Sequence, residues 1–222
     1  MPSYSGVFTL QAQMQAVAAT NWPVPPLQVG QAYGGGFYAG QISTTANGVA
    51  THNIVVGPLS TAQTSLQWKN ALTATAGADS VINGPQNTAD MVADGSSTVY
   101  PCAHFCNDLV TGGFSDWYMP AKNELEVCYF NLKPTTATNS TSSGINANAV
   151  PARASNYTSG NPAQTSSASF KTGGAEAFAV GYWSSTEIAS NTADAQYFAN
   201  GSQYNGAKNT AYRVRAIRRV AV

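Results

Sequence analysis

The sequence predicts a single α+β domain whose antiparallel strands open and close the chain, with two helices and a long polar loop between them. Three observations predict this. Strand-like segments flank turn signals near residue 40 and again after residue 176. Apolar residues fall at helical spacing in two places, 102–109 and 125–132. Lys133 to Gly174 is rich in Thr, Ser, Asn and Ala and shows no period.

Residues 1–32 read as an attachment arm and linker, and 33–222 as the domain. In the arm, Val7, Leu10, Met14 and Val17 stand at i, i+3, i+7 and i+10, one face of a short helix. Trp22-Pro23-Val24-Pro25-Pro26 ends that helix, because proline lacks the amide donor and restricts its predecessor. Phe37–Ser43 and Ala50–Val56 read as a hairpin around Asn47-Gly48. Thr61–Thr73 reads as a short helix with Leu66 and Leu72, and 74–97 as a polar stretch.

The first clear helix spans Tyr100–Val110. Pro101 occupies the first turn, where its missing N–H costs nothing, and Gly112-Gly113 stops the helix. Cys102, Phe105, Cys106 and Leu109 make its buried stripe. The second helix, Pro120–Leu132, buries Leu125, Cys128, Tyr129 and Leu132. Glu124 lies three residues after Ala121, the acidic half of a capping box without its Ser or Thr. A loop as long as 133–174 within one domain is usually functional or mobile. Ala177–Ser185, Ala193–Asn200 and Thr210–Val220 read as closing strands with turns at Gly201 and Gly206.

Charged residues make up 9% of the 222-residue chain and cancel, with ten basic against ten acidic side chains. A chain with no net field lacks the electrostatic basis of generic nucleic-acid binding. The one basic cluster, Arg213, Arg215, Arg218 and Arg219, fits a strand with paired or solvated arginines. Polarity comes from amides, hydroxyls and glycine. That composition suits an adaptable binding surface, and equally the plain surface of a β-rich virion or extracellular protein. Three cysteines make no disulfide framework. His104, between Cys102 and Cys106, points away from both thiols on a helix, so no metal site is expected there. The start has neither basic nor apolar leader character, and no stretch is long and apolar enough to span a membrane. The expectation is synthesis in a cytoplasm without membrane insertion.

Gly112-Gly113-Phe114-Ser115-Asp116-Trp117-Tyr118-Met119-Pro120-Ala121-Lys122-Asn123-Glu124-Leu125 resembles a GG-x-x-D-W-x-L-P-x-x-x-E-L signature. That signature belongs to a C-type-lectin-like family found in the C-terminal domains of bacterial collagen-like adhesins and in phage tail and fibre proteins. Tyr182-Trp183-Ser184-Ser185-Thr186-Glu187 and the closing Tyr212–Val220 segment extend the resemblance over about residues 36 to 222. Met119 replaces the usual Leu and Ala121 the usual capping hydroxyl. The opening arm is similar to starts of phage structural proteins. The resemblance implies a C-type-lectin-like fold with a long display loop. It assigns Asp116, Trp117, Pro120, Glu124, Trp183, Glu187 and Arg215 to the scaffold.

It also implies a bacteriophage virion protein of a tail fibre, tip or appendage that displays a receptor- or partner-binding surface. Its partners would be other virion proteins, through the arm, and a host-surface glycan or protein. A homo-oligomer is expected, and no cofactor. The display surface would combine 133–174 with the final turns, through Tyr157, Tyr197, Gln203, Tyr204, Asn205 and Lys208. A purely structural decoration or fibre subunit is the alternative. A calcium-dependent lectin is disfavoured because the long loop carries no Asp or Glu to ligate calcium. Enzyme chemistry is disfavoured because no nucleophile–base pair or carboxylate pair stands out, and no cysteine follows Cys128, as the cysteine-dependent enzymes on this fold would require.

Overall fold

The glycines at 34, 35 and 36 turn β1 (Ala32–Tyr33) back along β2 (Gly36–Ile42) in a computed structural model that describes residues 26–222. The helix expected between Val7 and Val17, and the Trp22–Pro25 break, lie outside those residues. The end of the expected arm is part of the domain, since Gly30 N–H donates to Tyr38 O at 2.7 Å and Ala32 pairs with Phe37.

β2 continues through a loop containing Asn47-Gly48 into β3 (His52–Val56). The last strand, β10 (Ile217–Ala221), pairs antiparallel with β3. This first sheet has the order β1-β2-β3-β10, with the two-residue β5 (Ala149–Val150) also on β2. The resemblance implies that the Phe37–Ser43 strand neighbours the Thr210–Val220 strand. They share a sheet, but β3 lies between them.

The segment expected as one helix, Thr61–Thr73, is a single turn, α1 (Leu59–Ala62), followed by strand β4 (Gln63–Gln67). β4 pairs along its length with β9 (Ala211–Arg215), a partner far downstream that no local period reveals. The expected closing strand Thr210–Val220 is therefore two strands. It breaks at Ala216 and serves both sheets. The second sheet runs β4-β9-β6-β7-β8, with β6 Gly181–Ala189, β7 Thr192–Tyr197 and β8 Gln203–Ala207. Register shifts after Tyr38 and after Trp183 curl both sheets.

The described residues hold four α-helices, where sequence reasoning placed a short one at Thr61–Thr73 and two clear ones after it. α2 (Gly84–Asp94) fell in the stretch read as merely polar. Its inner face carries Asn87 and Thr88 rather than an apolar stripe. Asn87 Nδ2 donates to Ser80 O at 2.7 Å and Ser185 Oγ at 3.1 Å. Thr88 Oγ1 bonds Gly84 O at 2.8 Å. α3 (Pro101–Asn107) starts at its proline as expected. Gly112 and Gly113 form a tight turn beyond it, both at positive φ, closing the Thr111–Phe114 bridge. α4 (Lys122–Leu132) follows Pro120-Ala121, and Glu124 accepts from the Ala121 N–H at 2.8 Å.

Two apolar clusters fill the interior. One joins Ile42, Ile54, Leu125, Tyr129, Leu132, Phe178 and Phe198 between the first sheet, α4 and the end of the second sheet. The other joins Trp68, Met91, Tyr100, Cys102, Cys106, Trp117 and Trp183 under α2 and α3. Trp117, Trp183, Leu125 and Cys128 are buried, whereas Leu109, just past the shortened α3, is only half-buried. No helix among the described residues is long and apolar enough to cross a membrane.

Candidate functional site

The motif residues build the frame on which a site must sit. Trp117 is buried, and its Nε1 donates to Thr111 O and Phe114 O, both at 3.2 Å, which fixes the glycine turn. Asp116 binds Arg218 in a fork, Oδ1 to Nε at 2.6 Å and Oδ2 to Nη2 at 2.8 Å. That pairing holds its carboxyl below the usual range. Arg218 also lies 3.7 Å over the Phe114 ring. Glu124 is fully buried and accepts from Arg219 Nε at 2.7 Å, Gly84 N–H at 3.1 Å and the Tyr118 hydroxyl. Arg215 is buried against Glu176 and Gly57 O. Glu187 holds Lys208 Nζ at 3.0 Å. The arginine cluster is thus mostly committed to internal partners.

Two residues expected on the display surface belong inside. Tyr157 is 4% exposed, and its hydroxyl donates to Glu126 Oε1 at 2.7 Å. Burial, then the Glu126 charge, push its phenol far above the ordinary value. Lys208 is fully buried and donates to Thr73 O and Ser190 O, both at 2.9 Å, besides Glu187. Residue type alone marks both as surface groups, and their partners lie too far along the chain to be read locally.

The long segment 133–174 is not a free display loop. Lys133 Nζ caps Ala137 O at 2.6 Å, and Asn139 Nδ2 reaches Pro162 O at 2.9 Å. Glu126, unremarked in the sequence, anchors the segment to α4 through Arg153, Asn146 and Tyr157. Its Ile145 side chain is 57% exposed.

The other four expected residues share the β7–β8 hairpin. Tyr197 is 37% exposed and Asn205 is exposed. Tyr204 and Gln203 are half-buried, and Gln203 Nε2 is enclosed without a hydrogen-bond partner among the described residues. The structure adds Tyr212 on β9, whose ring stands 5.8 Å from Tyr204 and 4.6 Å from the buried Trp183. These rings lie close because the strands beneath carry glycine. A Cβ on Gly206 would stand 2.5 Å from the Trp183 ring, and one on Gly181 would stand 2.4 Å from the Tyr204 hydroxyl. Burial, then the neighbouring Tyr212, raise the Tyr204 phenol, so it is a neutral donor.

Leu66, opposite Tyr212 on β4, continues this tract into an open groove of about 510 Å³. Pro101, Phe105, Leu109 and Val110 line the groove together with Ser97, His104 and the exposed Asp108, and Val110 is 74% exposed. Tyr197, Tyr204, Tyr212, Leu66 and the groove form an apolar and aromatic surface on a rigid sheet. Such a surface can stack on flat apolar faces and donate hydrogen bonds from phenols. Tyr212 was legible only as one residue of an alternating strand. Among the described residues no group of three or more His, Cys, Asp or Glu side chains gathers to hold a metal.

The Lcl C-terminal domain family matches residues 59–218, nearly three quarters of the chain. The chain belongs to that family. The Lcl match covers the groove, the tyrosine surface and the Gly112–Leu125 and Tyr182–Glu187 motifs, ends within the closing Tyr212–Val220 segment, and leaves β1–β3 outside. A fimbrial protein from Bacteroides ovatus is similar in structure at 16% identity and TM-score 0.42, over 78% of this chain and 36% of that one. The chain therefore spans just over a third of that protein's length. No curated protein sequence matches this Lcl domain.

Proposed function

We propose that this Lcl domain is a non-enzymatic display module of C-type-lectin-like architecture, working on a bacteriophage virion as part of a tail fibre, tip or appendage. The observation that carries the binding role is the cluster of Tyr197, Tyr204 and Tyr212 beside the Leu66 groove. It presents half-exposed aromatic area on a scaffold whose own charges are internally paired. Aromatic side chains give large contact area at small entropic cost, and they recur at binding hot spots. The lectin-like architecture draws support from the strands near both ends of the described chain meeting in one sheet and from the long segment between α4 and β6. The virion assignment draws on the sequence resemblance alone. The partner is a host-surface glycan or protein.

The test is adsorption of particles carrying Tyr197→Ser or Tyr212→Ser, beside a thermal melt of each purified protein. Loss of adsorption with an intact melt supports the reading. Normal adsorption by both variants would move recognition off this surface and favour a decoration role, in which the chain touches only its virion neighbours.

A further inference from the structure

An asparagine followed by glycine can react with itself, because no side chain on the glycine keeps its backbone nitrogen from the asparagine's amide carbon. The chain holds four such pairs: Asn47-Gly48, Asn83-Gly84, Asn200-Gly201 and Asn205-Gly206. In sequence the four are alike. The reaction needs a glycine nitrogen free of other partners, a side-chain carbonyl within its reach, and water. The fold supplies these unequally.

At three pairs the nitrogen is engaged. Gly84 is buried, and its N–H donates to Glu124 Oε2 at 3.1 Å. Gly201 is buried, and its N–H donates to Tyr197 O at 2.7 Å. Gly206 is buried in β8 opposite Ala193. Tyr197 N–H donates to Ser202 O and Lys208 N–H to Asn191 O, which sets the even-numbered residues of β8 in bonded pairs, so Gly206 N–H donates to Ala193 O.

Asn47-Gly48 differs. Both residues are exposed in the loop between β2 and β3 and belong to no strand. Gly48 N–H has no partner among the described residues, and a Cβ on Gly48 would meet nothing within 4 Å. Asn47 Oδ1 accepts from Val49 N–H at 3.0 Å, a turn that curls the amide back over the Gly48 peptide. Ser43 Oγ donates to the same oxygen at 2.9 Å. Two donors on one carbonyl oxygen polarise it and stabilise the charge that develops there under attack. Asn200 is the internal control. It makes the same turn, with Ser202 N–H donating to Asn200 Oδ1 at 3.1 Å, yet its glycine nitrogen is taken.

We propose that Asn47 is a self-modifying site, at which Gly48 N attacks Asn47 Cγ. The N–H proton passes to water, the new N–C bond closes a cyclic imide, and Nδ2 takes up a proton and leaves as ammonia. Water then opens the imide at either carbonyl, giving aspartate or, with the chain running through the side chain, isoaspartate. No oxidant or reductant enters. Isoaspartate lengthens the β2–β3 loop by a backbone carbon. Either product sets a carboxylate at the loop tip in a chain whose charges otherwise cancel.

The test holds the full chain warm in mildly alkaline buffer. Ion exchange resolves acidic species, peptide mass spectrometry maps them, and an isoaspartyl methyltransferase assay reports the isomer. Conversion at Asn47 leads that at Asn83, Asn200 and Asn205 by at least roughly tenfold, since each of those must first open packed structure. In guanidinium chloride that ranking disappears, because every glycine nitrogen is then free. Asn47→Gln, whose longer side chain must close a larger ring, stays intact at that position over the same interval. Ageing that appears first at another pair overturns the proposal, as does equal conversion at all pairs in the folded chain. So does an acidic species that forms as fast in Asn47→Gln, or a folded chain that stays intact at Asn47 while the unfolded chain converts.

Discussion

Glu126→Ala is the substitution expected to separate the long segment from its scaffold. The Glu126 carboxylate is wholly buried in α4 and accepts from Asn146 Nδ2 at 2.6 Å, the Tyr157 hydroxyl at 2.7 Å and Arg153 through Nε at 3.1 Å and Nη2. Arg153 also stacks 4.1 Å over Phe130, which fixes its guanidinium in place. Alanine leaves a phenol, an amide and a mostly buried cation without their shared acceptor. Hydrogen bonds to a charged group contribute about 1.5–3 kcal/mol each, and they do not add when they share one atom group. Breaking a buried ion pair from one side costs about 3–5 kcal/mol, which sets the expected loss. Urea unfolding reads the total, and limited proteolysis reads its location, with new cleavage inside 133–174. Arg153→Ala should then cost much less in the Glu126→Ala background than alone. A loss below about 1 kcal/mol with unchanged proteolysis would refute the anchoring role.

Trp117→Ala removes a buried indole that closes the glycine turn and should destabilise by roughly 3–5 kcal/mol in a chemical melt. An unchanged midpoint would show the turn holds without it. Asp194 is buried beside Lys122 Nζ at 3.5 Å, and burial raises its carboxyl to about 6. Its folded value lies above its unfolded one, so the native state binds the extra proton and stability falls as pH rises from about 4 to 6. Asp194→Asn should flatten that window, and an unaltered pH profile would contradict the assignment. Binding through the three tyrosines should change little between low and high salt, because no charged side chain lies among them; a steep salt dependence measured by calorimetry would point to Asp108 in the groove or to the half-buried Arg213 instead.

The helices with apolar stripes, α3 and α4, were legible because their burial repeats at helical spacing. α2 was not, because Asn87 and Thr88 reach the core through side-chain hydrogen bonds that no hydropathy pattern records. β4 was misread because Leu66 fits either period and the strand's partner, β9, lies some 150 residues away. Gly201 marked the turn after β7, but β8 itself went unread: Gly206, expected as a turn, lies inside that strand, and Tyr204 and Asn205, expected in a turn, stand on it. Tyr157 and Lys208 could not be placed, since each is drawn inside by a carboxylate distant in sequence, Glu126 and Glu187. Tyr212 shared the reverse problem. It sits on a strand whose alternation was plain, but only the folded sheet sets it beside Tyr204.

The economy of charge ties these features together. Seven of the ten Lys and Arg side chains face a carboxylate, and Arg215, Arg218 and Arg219 each fasten β9 or β10 to a different part of the chain. Burying an ion pair is costly unless the remaining donors and acceptors are satisfied. Here Arg215 also bonds Gly57 O and Glu176 O, and Glu124 also takes two backbone N–H groups. The scarce charges therefore fix where strands and segments meet. The surface is left to tyrosines, amides and hydroxyls, groups that bind by shape and short-range hydrogen bonds. A scaffold locked in this way is expected to keep its register when Tyr197, Asn205 or a groove residue is substituted, and urea unfolding of those single variants, with losses under about 0.5 kcal/mol, checks it.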